Sequence, residues 1–250
     1  MTAWLTVTFS AGLGGVSMVA FAAFLFAGAP GVIELDLGLW GGQVTNAGLS
    51  LLFFVQHSGM VRQSSKRRLA RFVPEHYLGA IYSIASGILL LAVVLVWQES
   101  KQVLATATGA LWWTARALFF LALGGLIWGT LSLQGLDAFG LRSILARFRI
   151  STPSLSVFEV RGPYRWVRHP LYSCVLLMIW SYPHLTVDRM LFNVLWTVWI
   201  VIGTLLEERD LIAEFGDRYR VYQRNVPMLI PRRVAGWIDP TDDPTYRSND

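Results

Sequence analysis

The sequence predicts an all-α integral membrane protein with about six transmembrane helices, and three observations carry that prediction. The 250 residues are 54% hydrophobic and only 15% charged, where a soluble domain carries about 25% charged residues. The charge deficit is concentrated in long apolar runs, which is the pattern of bilayer spans rather than of a soluble core. The basic residues, finally, alternate along the chain in a way that fits membrane topology.

Taken in order, the first run covers 4–28. It has no basic region before it and no small-residue cleavage site, so it is expected as a retained helix and not a removed signal peptide. The runs 38–60, 77–97, 111–133 and 189–206 follow, each about the length that crosses a hydrocarbon core. The run 171–183 is shorter and spans with help from its flanks, or enters tilted or re-entrant. With 189–206 it forms a hairpin. Arg62, Lys66, Arg67, Arg68 and Arg71 lie in one connection, and Arg142, Arg147, Arg149, Arg161, Arg165 and Arg168 in another. The tail holds Arg209, Arg218, Arg220, Arg224, Arg232, Arg233 and Arg247, whereas 29–43, 98–110 and 183–188 hold only Lys101. Six spans with both termini cytoplasmic satisfy the positive-inside rule, and five do not. Topology thus accounts for the basic balance without nucleic acid.

Glycines 12, 14, 15, 124, 125 and 129 are expected at close helix approaches, and Trp97, Trp112 and Trp113 in an aromatic belt at span ends. Cys174 is alone and forms no disulfide framework, and His57, His76, His169 and His184 lack zinc-ligand spacing, so no metal is expected. The chain is expected to divide into a four-helix transmembrane scaffold at 1–134, a cofactor-binding catalytic region with the last two membrane helices at 135–232, and a polar tail at 233–250 whose composition predicts disorder. After Glu207 the spacing of Leu211, Phe215, Tyr219 and Tyr222 is amphipathic and helical. Gly216 is expected to separate two short helices there.

Two clusters stand out from this scaffold. One is Gly162, Tyr164, Arg168, His169, Pro170 and Tyr172; the other is Glu207-Glu208-Arg209-Asp210. An arginine at a helix start is the wrong charge for the helix dipole, and makes better sense holding an anionic ligand group there. Four charges at a helix end also serve as an interfacial stop, and His169 also reads as an interface histidine. The hairpin brings both clusters to the cytoplasmic side. A cationic patch, a carboxylate pair and several tyrosines then suit a zwitterionic ligand with an added positive centre.

"GPYRWVRHPLY" followed by "EERDLIAEFGDRYRVYQRNVPMLIP" resembles the C-terminal signature of the isoprenylcysteine carboxyl methyltransferase superfamily. "FFVQHSGMVR" at 53–62 and "GLDAFGLR" at 135–142 look like its bacterial methanethiol S-methyltransferase branch. The resemblance implies an S-adenosyl-L-methionine-dependent membrane methyltransferase. Gly162, Tyr164, His169, Pro170, Leu171, Tyr172, Glu207 and Tyr219 would serve the cofactor, with Arg168, His169 and Glu208 as candidate catalytic groups. It implies a plasma-membrane enzyme with a cytoplasmic active site and a small thiol or lipidic acceptor arriving from the bilayer. Three positions depart from the pattern. Leu78-Gly79-Ala80 stand where methanethiol relatives tend to carry Glu-Arg-Ser. Cys174 replaces a glycine, and Gly203 stands where prenylcysteine enzymes carry arginine. The competing readings are a methyltransferase acting on a prenylcysteine carboxylate or lipid amine, an NADPH-dependent sterol or isoprenoid reductase using arginines at 142–168, and a non-catalytic protein retaining the fold.

Overall fold

The computed structural model describes residues 2–133, 158 and 160–232; the stretch "GLDAFGLR", Arg142, Arg147, Arg149 and the tail from 233 lie outside the described residues. Among those described, helices α1 (Thr2–Ala27), α2 (Gly38–Val61), α3 (Gln63–Leu69), α4 (Leu78–Val96) and α5 (Gly109–Ser132) precede the opening cluster. Helices α6 (Pro170–Trp180), α7 (Val187–Phe215) and α8 (Asp217–Asn225) follow it. Four helical stretches are long and apolar enough to cross a membrane: Trp4–Ala27, Glu75–Val96, Gly109–Ser132 and Val187–Phe215. The chain is therefore read as a mostly helical integral membrane protein. The expected span 38–60 does form a helix, but its glycines and amides keep it out of the apolar set. The expected run 171–183 forms only the short α6.

Two corrections concern regular structure. The chain is not purely helical: strand β1 (Val103–Thr106) pairs antiparallel with β2 (His184–Thr186), with a register shift between Val103 and Ala105. Strands this short leave too few alternations to be recognised in sequence. Nor does the last apolar run give way to a separate short helix before Gly216. Helix α7 continues unbroken through Glu207–Asp210 to Phe215, and Gly216 turns the chain with φ 60° into α8.

The described chain falls into two compact units. The first takes residues up to Gly109 together with Tyr182–Trp196; the second takes Ala110 onward, 160–181 and Thr197 onward. In the first unit, α4 packs against α1 and α2. The close approach on α1 is at Gly87, where a Cβ would fall 3.3 Å from the Leu13 carbonyl oxygen. Gly12 and Gly15, expected in that role, have nothing within 4 Å of a Cβ position. Ala80, from the Leu78-Gly79-Ala80 departure, is fully buried beside Val7 and Tyr77, so only a small residue fits there.

The end of α1 is closed by Arg189, 2% exposed. Its guanidinium donates to the carbonyls of Phe24 (3.3 Å) and Leu25 (3.0 Å) and lies 4.4 Å from the Tyr182 ring centre. Helix C-termini leave carbonyls without partners, and membranes penalise such groups heavily; a buried arginine answers both needs. The neighbouring Asp188 accepts from Trp97 Nε1 and from the Ser100 amide, each at 2.9 Å. Trp97 is thus a buried structural residue and not part of an aromatic belt, while Trp113 is 70% exposed as a belt residue is.

Candidate functional site

The site is built within the second unit from the turn before α6, the C-terminal half of α7, and α8. Gly162 opens the turn Gly162–Arg165 with φ 53°. A Cβ there would also collide with the Ser132 side chain, so the position requires glycine twice over. Pro170 then starts α6 at a position where its missing N–H costs nothing. His169 precedes it and makes no side-chain cap, so its imidazole faces the glutamates instead. Arg161 and Arg165 are exposed, as expected of charges set by topology.

The segment after α8 closes over this turn. The amide of Arg168 donates to the Pro227 carbonyl (2.9 Å) and that of His169 to the Met228 carbonyl (3.1 Å), while Ser173 Oγ donates to the Leu229 carbonyl (2.6 Å). The sequence "VPML" therefore acts as a strap and does not merely end a helical pattern.

Glu207 and Glu208 are consecutive on α7, so their side chains diverge by about 100° around the helix. Glu208 turns inward. Its Oε1 accepts from Arg168 Nε at 2.6 Å, lies 3.1 Å from His169 Nε2, and accepts from Tyr219 OH at 3.4 Å. Its Oε2 accepts from Gln223 Nε2 at 2.9 Å. Arg168 also donates to the carbonyls of Gln223 (3.0 Å) and Val226. Both side chains of this ion pair are about one-tenth exposed, at 10% and 9%. Arg168 is thus committed to a clamp that fastens α6 to α7 and α8.

Glu207 turns the other way and is 43% exposed. Its Oε2 accepts from Tyr172 OH at 2.7 Å and lies 4.0 Å from His169 Nδ1, too far for a hydrogen bond. The Tyr172 ring stacks on His169 with an interplanar angle of 15°. Tyr219 and Tyr222, three apart on α8, share the face packed on Phe158 and Phe215. Tyr222 OH donates to the Tyr164 carbonyl at 2.6 Å.

Burial lowers the proton affinity of His169 below its ordinary value; the charges of Glu207 and Glu208 oppose this without reversing it. His169 is therefore neutral at neutral pH. With its Nε2–H donated to Glu208, Nδ1 is left as an acceptor. Burial likewise raises the phenols of Tyr164, Tyr219 and Tyr222, which stay protonated donors.

The structure brings Arg168, His169, Pro170, Leu171, Tyr172, Glu207, Glu208 and Tyr219 around one turn. Tyr219, 2% exposed, lies behind Glu208, and Gly162 packs on Ser132 and Trp128 at the turn's far end. The Val226–Leu229 strap is missed in sequence because a hydrogen-bonding backbone carries no residue signature, and Gln223, whose side chain donates to Glu208, is missed as one polar residue among many on α8. Cys174 packs toward α5, where a Cβ on Gly125 would come 2.8 Å from its sulfur. Gly129 admits Leu171 in the same way, at 2.7 Å. The glycine displaced from 174 thus has a counterpart across the contact. Among the described residues no group of three or more His, Cys, Asp or Glu could hold a metal ion.

Residues 47–226 match the NnrU protein family. The chain belongs to the NnrU family. It is 33% identical over 242 residues to a methanethiol S-methyltransferase of Mycobacterium tuberculosis, covering 92% of this chain and 98% of that one. It is 34% identical to methanethiol S-methyltransferase 2 of Bradyrhizobium diazoefficiens, over 88% of this chain and 89% of that one. A third relative, methanethiol S-methyltransferase of Pseudomonas deceptionensis, is 36% identical over 76% of this chain and 74% of its own. No solved structure matches. The expected kinship with the methanethiol branch is borne out over most of the chain.

Proposed function

We propose that this NnrU-family protein is a membrane methyltransferase that uses S-adenosyl-L-methionine to methylate a small thiol such as methanethiol, giving dimethyl sulfide. The observation that carries the reading is the pair of acceptors at the open edge of the cluster. His169 Nδ1 and Glu207 Oε2 stand 4.0 Å apart and neither can donate to the other. A cationic or multiply donating group, such as an α-ammonium or a ribose diol, satisfies both at once. The pair of acceptors therefore fits the cofactor. Tyr172 orients the Glu207 carboxylate, and the stacked His169 and Tyr172 rings offer a π-face to a positive centre. Arg168, Glu208, Gln223 and Tyr219 act behind this surface as positioning residues. The relatives' names support the reaction class.

S-adenosyl-L-methionine supplies an electrophilic methyl carbon on a sulfonium. His169, Glu207 and Tyr172 would hold that group, and passage of its methyl to the acceptor sulfur would give a thioether and S-adenosylhomocysteine, the thiol proton leaving to water. The protein's part is alignment and desolvation. The proposal includes six spans in a bacterial plasma membrane, with α2 and α6 completing the four apolar stretches and both termini cytoplasmic.

The test measures S-adenosylhomocysteine and NADPH binding to detergent-purified protein. It is paired with labelled-methyl transfer in membranes offered methanethiol, longer thiols, prenylcysteine and phosphatidylethanolamine. Saturable S-adenosylhomocysteine binding lost in Glu207→Gln and His169→Ala, with transfer to methanethiol, is the expected result. Binding unchanged in both folded variants refutes the site. Binding of NADPH alone refutes the reaction.

A further inference from the structure

The segment joining α2 to α4 carries a charged face that none of the chemistry above uses. Arg62 and Pro74 bound it, both with extended ψ angles of 138° and 137°, and the two helices it joins pack against each other. The segment therefore crosses their ends, directly before Glu75–Val96, one of the stretches long and apolar enough to cross a membrane. Helix α3 runs to Leu69. The amide of Ala70 donates to the Lys66 carbonyl (2.8 Å) and that of Val73 to the Leu69 carbonyl (3.0 Å), which carries the winding on to Val73. At about 100° per residue, Leu69, Ala70 and Val73 share one side and are half-buried. Arg67, Arg68, Arg71 and Phe72 fall on the opposite side and are exposed, with Lys66 exposed at the edge. None of the four cations forms an ion pair with a described residue, and no carboxylate occurs in the sequence between Asp36 and Glu75. Phe72, among these cations, is 82% exposed.

Topology accounts for the sign of this connection, but not for three arginines grouped on one face with no carboxylate beside them. On α8, by contrast, basic residues are interleaved with acid, and Arg220 pairs with Asp217 at 2.8 Å. We propose that Arg67, Arg68 and Arg71, flanked by Lys66, bind the headgroup phosphates of anionic phospholipids such as phosphatidylglycerol, with Phe72 seated at the boundary between headgroups and acyl chains. A guanidinium meets phosphate oxygens through paired N–H bonds, and a basic cluster immediately beside a membrane helix attracts anionic lipid. Phe72 decides between lipid and other anions. A free phosphate or a nucleic acid offers the arginines the same charge but leaves the phenyl ring in water, whereas the bilayer boundary receives both the cations and the ring. The inference rests on the membrane-spanning helices and is independent of methyl transfer.

The experiment attaches a bimane fluorophore at Phe72→Cys in a Cys174→Ala background and reconstitutes the full chain in phosphatidylcholine vesicles. Quenching is measured with a trace of phosphatidylglycerol carrying a nitroxide high on its acyl chain, and separately with phosphatidylcholine carrying the nitroxide at the same place. Phosphatidylglycerol should quench about fivefold more strongly or better, fivefold being the worth of one basic side chain at an anionic surface. Arg67→Gln, Arg68→Gln and Arg71→Gln introduced together should bring the ratio close to one. The matching lysine substitutions should keep most of it, and salt at about 0.5 M should shrink it. Melting profiles check the folding of each variant, and the pair Arg67→Gln and Arg71→Gln, which should also lower the ratio, serves if the triple variant is unfolded. A ratio near one in the labelled parent overturns the proposal. So does a ratio that the folded glutamine variants leave unchanged, because other basic segments then gather the lipid. Quenching by aqueous iodide with none from either lipid overturns it too, since position 72 then stands in water. Inorganic phosphate added at constant ionic strength should not alter the ratio; if it abolishes the preference, the face is a free-anion site and the lipid assignment falls.

Discussion

Glu207 and Glu208 are neighbours of the same residue type, and their isosteric amides should behave in opposite ways. In Glu208→Gln the new side chain keeps one carbonyl for Arg168 but presents an NH2 to Gln223 Nε2, a donor against a donor across the present 2.9 Å contact. The charge-assisted bond from Arg168 at 2.6 Å is also reduced to a neutral one, in surroundings where both partners are about nine-tenths covered. Losing the ionic part costs about 2 kcal/mol, and the donor conflict about 1 kcal/mol more. Together they amount to about 3 kcal/mol, or a melting shift of roughly 6–12 °C for a chain of this size. In Glu207→Gln the side chain, 43% exposed, keeps an acceptor for Tyr172, and the stability change should stay within about 0.5 kcal/mol. Melting in one detergent, with and without S-adenosylhomocysteine, separates the two. Glu208→Gln should melt low but still be stabilised by the ligand. Glu207→Gln should melt normally and respond weakly. If Glu207→Gln melts as low as Glu208→Gln, or if Glu208→Gln is unaffected, the division between open carboxylate and clamp is wrong.

The remaining predictions concern packing and pH. Arg189→Met removes both guanidinium bonds to the end of α1 and should destabilise by about 3 kcal/mol, seen as a lowered melting temperature. Gly125→Ala places a Cβ 2.8 Å from Cys174 Sγ and should cost about 1–3 kcal/mol through overpacking; Cys174→Gly, which alone should cost about 1 kcal/mol as a glycine inside α6, should relieve the clash so that the double variant is more stable than the sum of the two. The folded-state proton affinity of His169 is lowered from 6.5, so protons favour the unfolded chain. The stability it contributes is complete above pH 6.5 and lost as pH falls below that value. Melting temperature should therefore decline on acidification through that window, and His169→Asn should flatten this part of the profile. An unchanged slope in the variant would assign the acid sensitivity to other groups.

How much was legible in sequence depended on whether a feature has a residue signature. Arg168, His169, Tyr172 and Glu207 are legible because their charges and rings are out of place beside apolar runs, and the structure does bring them together. The apolar runs likewise gave α1, α4, α5 and the start of α7 within a few residues. What escaped is carried by backbone or by paired positions. The Val226–Leu229 strap binds through carbonyls, and the β1–β2 pair is too short for a period to register. Of the close approaches expected of glycines, those at Gly125 and Gly129 are found, whereas Gly12, Gly15 and Gly124 make none and Gly87 escaped notice, since hydropathy shows a span but not the face it turns to a neighbour.

The unbroken passage of α7 through Glu207-Glu208-Arg209-Asp210 follows from the same chemistry. Four charges at the end of an apolar run would ordinarily mark where a helix leaves the bilayer and frays. Here Glu208 is neutralised and hydrogen-bonded from the turn before α6 and from α8, and Glu207 is held by Tyr172. Arg209 and Asp210 are exposed. With both carboxylates hydrogen-bonded, the helix has no reason to break until Gly216, where φ 60° turns the chain. Continuity matters to the site, because Glu207 then rides on a rigid helix rather than on a loop. A carboxylate that must meet His169 and a ligand together gains most from such a mounting. A helix-breaking substitution between the membrane and the glutamates, such as Leu206→Pro, should therefore abolish S-adenosylhomocysteine binding even though it alters no side chain of the site.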